Sequence, residues 1–529
     1  MIRKLNDKNE HKEMKKNQNK GTNHTSAAVR SDSQSGPTND IELVFGLVGP
    51  TGVDLTAVCN ALKSQLMAVD YEPIVISLSD LIPGFINKKF TPRNEYDRIR
   101  ELMTLGTNLR IKTKQADIVG RLGIAKIRAI REEKTGDRRE PASRVAYIIR
   151  SFKRPEEVDL YRDVYGKAFT LISVYSPRSA RIKHMERKFS KSAQIRKKAE
   201  ECAVELINRD YAEEDGKKYG QSVGATFPIA DYFITSGSAA AIDENIRRLI
   251  RLIFGDPYIS PTRDEQGMFF AQAAALRSLD LSRQVGAAVI SRDGDLLSTG
   301  CNEVPKFGGG LYWEEDSQCV RDFELGHDSN VTIKRELIEE IFSKLREAKW
   351  LSKNASQKSD IELTDESLTG NGNYLKNSKL FDVIEFGRAV HAEMAAITQA
   401  ARNGISLSGS RLFCTTFPCH ICARHILSSG LSEVVFIEPY DKSRTAELYD
   451  DSIAIESSEL PRNKALFRAF SGVAPRRYME LFTMTTDRKN AKGQILERDE
   501  IAKQPKLKRF VLTYILAEDI IINSTALVN

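Results

Sequence analysis

The sequence predicts an α/β protein built as two successive sheet-and-helix units, and three observations carry that reading. The apolar run 41–48 ends in the glycine turn Gly49-Pro50-Thr51-Gly52, after which Leu55, Val58, Cys59, Leu62 and Leu66 recur at helical spacing. Further runs of strand length at 71–78, 144–150 and 168–175 alternate with helical patterns, which implies a parallel sheet with helices on both faces. Past residue 262 a second succession begins: a helix at 266–279, a strand at 285–290, the turn Arg292-Asp293-Gly294-Asp295 and a partner strand from Leu296.

Composition bounds the rest. A chain of 529 residues holds two to four domains, and 41% apolar with 29% charged residues is ordinary for a soluble globular protein. The net charge of +7 is spread along the chain and reads as a solvated surface rather than a nucleic-acid footprint. Seven irregularly spaced cysteines fit a reducing compartment, with thiols used for packing and metal. No apolar run is long enough to span a bilayer and residues 1–5 are not followed by a signal-peptide core, so a cytoplasmic protein without a membrane partner is expected. Residues 1–39, rich in Lys, Asn, Ser and Asp, read as a disordered tail.

Ordered structure is expected from residue 40 to 254. Laid on the phosphate-loop pattern G-x-x-x-x-G-K-[ST], Gly49 and Thr56 match and Gly52 supplies a turn, but Asp54 stands for the second glycine and Leu55 for the lysine. Losing that lysine removes the main positive charge on a phosphate chain, and Asp54 adds a negative one. The alternation of elements, with Arg178 and Arg181 after the fourth strand, resembles P-loop nucleotide kinases in architecture. That resemblance implies a nucleotide at the degenerate loop, bound through Gly49, Gly52 and Thr56. Three uses stay open: a nucleotide sensor, a structural relic and an active kinase. An amphipathic helix at 242–254 ends in Gly255-Asp256-Pro257, and 255–262 reads as a linker.

The chemistry is concentrated in His391-Ala392-Glu393 and Pro418-Cys419-His420-Ile421-Cys422. Cys419 and Cys422 stand three apart, so on a helix they share a face and can place two sulfurs on one metal. His391 supplies a third protein ligand and leaves the fourth position to water, the arrangement of a catalytic rather than a structural zinc. Glu393, in the first turn of a helix continued by Met394 to Ile397, is free to carry a proton. The competing reading, half of a structural zinc knuckle, would need a fourth protein ligand. No second Cys-x-x-Cys exists, and Cys414, closing the run Leu412-Phe413, reads as a strand interior. The pattern points to hydrolytic removal of an exocyclic amine from a base.

With Ser282-Arg283-Gln284-Val285-Gly286, Gly300-Cys301-Asn302 and Glu438-Pro439-Tyr440, these motifs make 262–305 and 385–445 resemble the deoxycytidylate deaminase family. The expected fold is therefore an N-terminal P-loop-type parallel α/β domain followed by a cytidine-deaminase-like α/β/α domain at 263–529, with an insertion at about 306–384. The resemblance implies that His391, Cys419 and Cys422 hold Zn2+, that Glu393 shuttles the proton and that Asn302 hydrogen-bonds the nucleoside. For Asn302, the alternative is an asparagine tolerating a left-handed turn. Lys442, after the strand at 431–437, is a phosphate contact or an ordinary exposed lysine. The arrangement of the whole chain is similar to bacterial anti-phage dCTP/dCMP deaminases, which implies a deoxycytidine nucleotide substrate, a homo-oligomer and an inhibitory small RNA as partners. The alternative function is a polynucleotide editor acting on cytidine or adenosine in RNA or DNA, against which the modest charge and the absence of an aromatic-basic stripe weigh.

Several patterns fall outside that core. Ile333, Leu337, Ile338, Ile341, Phe342 and Leu345 mark an amphipathic helix in the insertion, and 352–378 reads as polar and mobile; a lid or an oligomer contact is expected there. Tyr312 and Trp313 follow a glycine run and could stack on a base or anchor packing. Cys301, Cys319 and His327 are too irregularly spaced for a second metal. Arg476 and Arg477 could hold a triphosphate or cap a surface, and 510–522 alternates as a strand would.

Overall fold

The computed structural model describes residues 41–192, 198–213, 217–316, 319–369, 374–375, 378, 385–439, 443–456, 463–496, 505–506 and 511–525. The tail at 1–39 and Lys442 lie outside the described residues. The chain forms two compact units: one contains everything up to Thr262 together with the chain from Phe470 onward, the other is Arg263–Ala469. Both are α/β. No helix among the described residues is long and apolar enough to cross a membrane.

In the first unit β1 (Leu43–Val48), β2 (Glu72–Ser77), β3 (Val145–Arg150), β4 (Phe169–Tyr175) and β5 (Tyr232–Thr235) lie in the order β5-β4-β1-β3-β2, with every neighbouring pair parallel. Strand β1 is central and wholly buried, which is why its sequence is apolar on both faces. Gly46 sits where a Cβ would come within 2.8 Å of the Phe152 and Phe169 rings, so only glycine fits beneath that aromatic pair. The Leu55–Met67 helix follows the glycine loop and packs Val58, Leu62 and Leu66 against the sheet.

In the second unit β6 (Gly286–Ile290), β7 (Leu296–Cys301), β8 (Arg411–Thr416), β9 (Glu433–Glu438), β10 (Ile453–Ile455) and β11 (Ala465–Ala469) are ordered β10-β11-β9-β8-β6-β7. Strand β6 runs antiparallel to both β7 and β8, and the pairs from β8 to β10 are parallel. Alternation along the strands divides two faces. Ala287, Val289, Leu412 and Cys414 pack under the Ala392–Arg402 and His420–Ser428 helices, as expected for Cys414. Phe413, on the opposite face, meets the Arg263–Ala275 helix at Gly267, where a Cβ would lie 2.6 Å from its ring.

The C-terminal sixty residues depart from expectation: assigned by sequence to the deaminase domain at 263–529, they pack with the first unit. The physical reason is burial. β12 (Gly472–Val473) pairs antiparallel with β5, Phe470 stacks edge-on against Phe233 at 5.8 Å, and Val473 and Leu481 enter the core that holds Ile246 and Leu249. Arg476 and Arg477 are spent locally, Arg476 on Asp231 and the Ile229 carbonyl, Arg477 on Glu480 and the Phe169 carbonyl, which is the capping reading of that pair.

The stretch expected as a strand at 510–522 is the helix Val511–Asn523. Helical spacing puts Tyr514 and Glu518 on one face, and both reach a buried ionic centre. Arg131 donates to Glu42 at 2.7 Å and to Glu518 at 2.6 Å, while Tyr147 and Tyr514 donate to Glu42 and Tyr165 donates to Glu518. Two carboxylates around one guanidinium out of water are tolerable only with the tyrosine hydroxyls added. Glu518→Ala, which removes one carboxylate, should destabilise this unit by about 3–5 kcal/mol. Urea unfolding followed by circular dichroism measures the loss, and Glu518→Gln should recover part of it.

Candidate active site

Small residues let a helix reach the sheet in the second unit. A Cβ on Gly300 of β7 would lie 2.2 Å from the Ala392 carbonyl oxygen and 2.4 Å from the Ala396 nitrogen, so glycine on the strand and alanine on the helix are both required. The contact sets the start of the Ala392–Arg402 helix. His391 is its N-cap residue and Glu393 its second helical residue, so both side chains stand at the same helix end.

The second helix, His420–Ser428, brings its own N-terminus to the same place. Cys419 is not within this helix, as the three-residue spacing suggested, but caps it: its Sγ accepts from the Cys422 amide at 3.5 Å. Cys422 lies one turn in. The His391 Nδ1 is 3.4 Å from the Cys419 Sγ and 3.3 Å from the Cys422 Sγ, and the three ligand atoms lie within 4.8 Å of one another. The Cys422 thiol donates to Glu393 Oε2 at 3.4 Å.

Electrostatics match this geometry. The Cys422 thiol, then the His391 ring, pull the Cys419 thiol down to about 4, and the helix N-terminus favours the same thiolate. Its hydrogen bond to Cys419 pushes Cys422 the other way. Cys419 beside it raises His391, and burial, with the Cys419 charge added, raises Glu393 above the usual carboxylate range. One imidazole nitrogen and two sulfurs, one already a thiolate, form a donor set that suits zinc, with a carboxylate beside them that is not needed as a ligand. Among the described residues this is the group found able to hold a metal; Cys301, Cys319 and His327 do not join it.

His391, Glu393 and Cys419 line a pocket of about 210 Å³ together with Asn302, Thr416 and Phe417. Asn302 reaches the pocket wall, with both ends of its amide in use: Oδ1 accepts from the Val285 amide and Nδ2 donates to the Arg283 carbonyl, each at 2.7 Å. It therefore pins the 283–285 segment to the end of β7. Its backbone is not left-handed, which removes the turn reading. Sequence reasoning missed other residues that line the pocket: Arg283, which pairs with Glu438, Arg388, which pairs with Asp322, and Asp328, which caps the Ser329–Glu347 helix. Asp322 and Asp328 come from the insertion, whose distance in sequence from His391 hid them.

Part of 352–378, expected to be mobile, is helical, while 370–373, 376 and 377 lie outside the described residues. The Ser329–Glu347 helix forms as its periodicity predicts, and Asp360–Thr369 is a second helix with Leu363 and Thr364 buried. Arg346 fastens the two by donating to Asp360 at 2.8 Å. Trp313 lies under the Arg277 guanidinium at 3.4 Å, the packing role of the two considered for it.

In the first unit the glycine loop is held by carboxylates. Asp54 caps the Leu55–Met67 helix by accepting from the Thr56 amide at 2.9 Å, and Asp210 accepts from the Thr51 amide at 2.7 Å while pairing with Lys153. Leu55 is buried in the core. Gly52 has φ +97°, and a Cβ there would meet Arg181 at 2.8 Å. Gly49 lines a neighbouring cavity, but at Thr51 and Thr56 the amides that a phosphate would use already have partners.

Residues 261–438 match the family model described as the cytidine and deoxycytidylate deaminase zinc-binding region. Among curated proteins, the deoxycytidylate deaminase of Enterobacteria phage T4 is 40% identical over 76 residues, 14% of this chain and 38% of that protein. The probable deoxycytidylate deaminase of Drosophila melanogaster is 38% identical over 98 residues, 17% of this chain and 47% of that protein. The chain thus spans less than half the length of these relatives. Of solved structures, the dCMP deaminase from cyanophage S-TIM5 in complex with dCMP and dUMP aligns at 17% identity and TM-score 0.22, covering 40% of this chain and 99% of that one. Shikimate kinase from Acinetobacter baumannii aligns at 12% identity and TM-score 0.24, covering 42% and 97%.

Gly300→Ala tests the positioning argument. The added methyl has to move the Ala392–Arg402 helix, which should cost about 1–3 kcal/mol and lower the zinc content of the purified protein. Calorimetry and metal analysis by mass spectrometry read the two effects.

Proposed function

We propose that the Arg263–Ala469 unit hydrolytically deaminates deoxycytidine nucleotides, converting dCMP or dCTP to the deoxyuridine nucleotide and ammonia. The observation that carries this reading is the convergence of an imidazole, two sulfurs and a buried carboxylate in one cluster, of which His391, Glu393 and Cys419 line a pocket. The match of residues 261–438 to a deaminase zinc-binding region supports it.

His391, Cys419 and Cys422 would hold zinc, which supplies the Lewis acidity that lowers the pKa of a water toward ~7. Glu393 does the proton work. Raised by burial, its carboxyl can accept a proton at Oε2 from the attacking water and return it to the departing amine near neutral pH. Water enters and ammonia leaves, so no redox partner is needed. Asn302 keeps the 283–285 segment against the pocket wall; Arg283 and Arg388, which line the pocket, are proposed as cations for the nucleotide phosphate, together with Lys442, which lies outside the described residues. Depletion of deoxycytidine nucleotides in anti-phage defence, in a homo-oligomer restrained by a small RNA, is the biological setting proposed, on the resemblance of the chain's arrangement.

Ammonia release and product mass with dCMP, dCTP, CTP, dATP and single-stranded DNA test the reaction. Turnover of dCMP or dCTP is expected; turnover of the oligonucleotide alone would establish the editing alternative. Glu393→Gln should lower kcat by about 10²–10⁴-fold while retaining zinc, which separates proton transfer from metal binding. Asn302→Asp, which replaces the donor to Arg283 by an acceptor, should raise KM more than it lowers kcat. For the defence role, plating efficiency of phage on cells expressing wild type or Glu393→Gln is the readout; equal plating would overturn it.

A further inference from the structure

The first unit contains a cavity of about 190 Å³ beside the glycine loop that the deaminase reading does not use. Its floor is Gly106 on the Glu95–Thr113 helix. A Cβ there would lie 3.6 Å from Arg110 Nη1 and 3.9 Å from Gln221 Nε2, so a guanidinium and an amide converge over one glycine. Both residues are almost fully buried, Arg110 at 2% and Gln221 at 4% exposure. Even so, Nε and Nη1 of Arg110 and the Oε1 of Gln221 have no hydrogen-bond partner among the described residues. Unpaired buried donors and an acceptor lining one cavity are a standing cost that a ligand would remove.

The charges sort the ligand's ends. Arg110 is neutralised by Glu157 at 2.6 Å, so its spare N–H groups suit a neutral acceptor such as a carbonyl. Next to it, the Gln221 oxygen requires a donor. A donor beside an acceptor is what the edge of a nucleobase presents. At the loop side of the cavity, Arg150 and Lys188 form no ion pair among the described residues, and the buried Nε of Arg150 is unpartnered. Arg98 and Lys153, by contrast, are committed to Glu95 and Asp210. An anion is called for at Arg150 and Lys188, and Ile82, Leu102 and Met103 add apolar lining to the same cavity.

We infer that this cavity binds a nucleoside monophosphate, its base edge on Arg110 and Gln221 and its phosphate on Arg150 and Lys188. The phosphate is held by side chains and not by the glycine loop, whose Thr51 and Thr56 amides are occupied by Asp210 and Asp54. This accounts for the absence of a lysine at Leu55: the site needs no contact to a triphosphate chain. The inference stands independently of the deaminase reaction.

The test is isothermal titration of the full-length, zinc-loaded protein with dCMP, dUMP, dTMP, dAMP and dGMP, and with inorganic phosphate and thymidine as part-ligands. At least one monophosphate should bind more tightly than phosphate or thymidine. Gly106→Leu, which fills the cavity from a helical position that favours leucine over glycine, should weaken that binding by at least about tenfold. Arg150→Met, which keeps the stem and removes the charge, should do the same, and it carries the test if Gly106→Leu alters the melting temperature. Asn302→Ala, in the other pocket, should leave it intact. No saturation below about 1 mM, affinity unchanged in both cavity variants, or phosphate binding as well as the nucleotides would each overturn the proposal.

Discussion

Two helix N-termini meeting at one point are what the Arg263–Ala469 unit is built around. Each end brings backbone amides and a partial positive charge, and each has a residue of the candidate metal cluster at its N-cap position, His391 on one helix and Cys419 on the other. Cys419 caps its helix through Sγ while His391 makes no side-chain cap bond, and the two positions present nitrogen and sulfur to a common centre. That centre exists only because Gly300 lets the Ala392–Arg402 helix lie directly on β7. Neighbours and burial then differentiate the groups: the Cys422 thiol and the His391 ring pull Cys419 toward its thiolate, and burial pushes Glu393 toward its protonated form. Groups whose proton affinities are driven apart at a short distance are what acid–base work at neutral pH needs.

In the first unit a glycine loop between strand and helix carries electrostatics opposite to those that binding a phosphate would need. Strand, glycine turn and helix are all in place, and Gly52 still takes the left-handed conformation that the turn requires. The anions are now internal. Asp54 and Asp210 satisfy loop amides at no more than 2.9 Å, and Lys153 is drawn to Asp210. A carboxylate fixed by the fold competes with any phosphate arriving from solution, because both would use the same N–H groups.

Long-range closure has a similar character in both units. The Val511–Asn523 helix is joined to residues far earlier in the chain through the Glu42–Arg131–Glu518 centre, and the insertion returns Asp322 and Asp328 to the rim of the pocket. In each case a guanidinium meets carboxylates from distant segments, Arg131 with Glu42 and Glu518 and Arg388 with Asp322, which helps order a segment without a large apolar face.

How much was legible in the sequence follows from the range of the forces involved. Hydrophobic period and turn residues are local, so β1, the glycine loop, the β6–β7 hairpin and the Ser329–Glu347 helix could be read directly, and motif spacing brought His391, Glu393, Cys419 and Cys422 together. The sequence by itself determined the two α/β units and the donor set of the candidate metal centre. Only the tertiary structure decided that Cys419 is a cap, that Asn302 spends both ends of its amide on the 283–285 segment, that Asp210 occupies the loop and that the chain from Phe470 onward belongs with the first unit. Each of these depends on a partner distant in sequence, and the alternation at 510–522 had no local feature to distinguish a strand from a helix whose Tyr514 and Glu518 face a buried arginine.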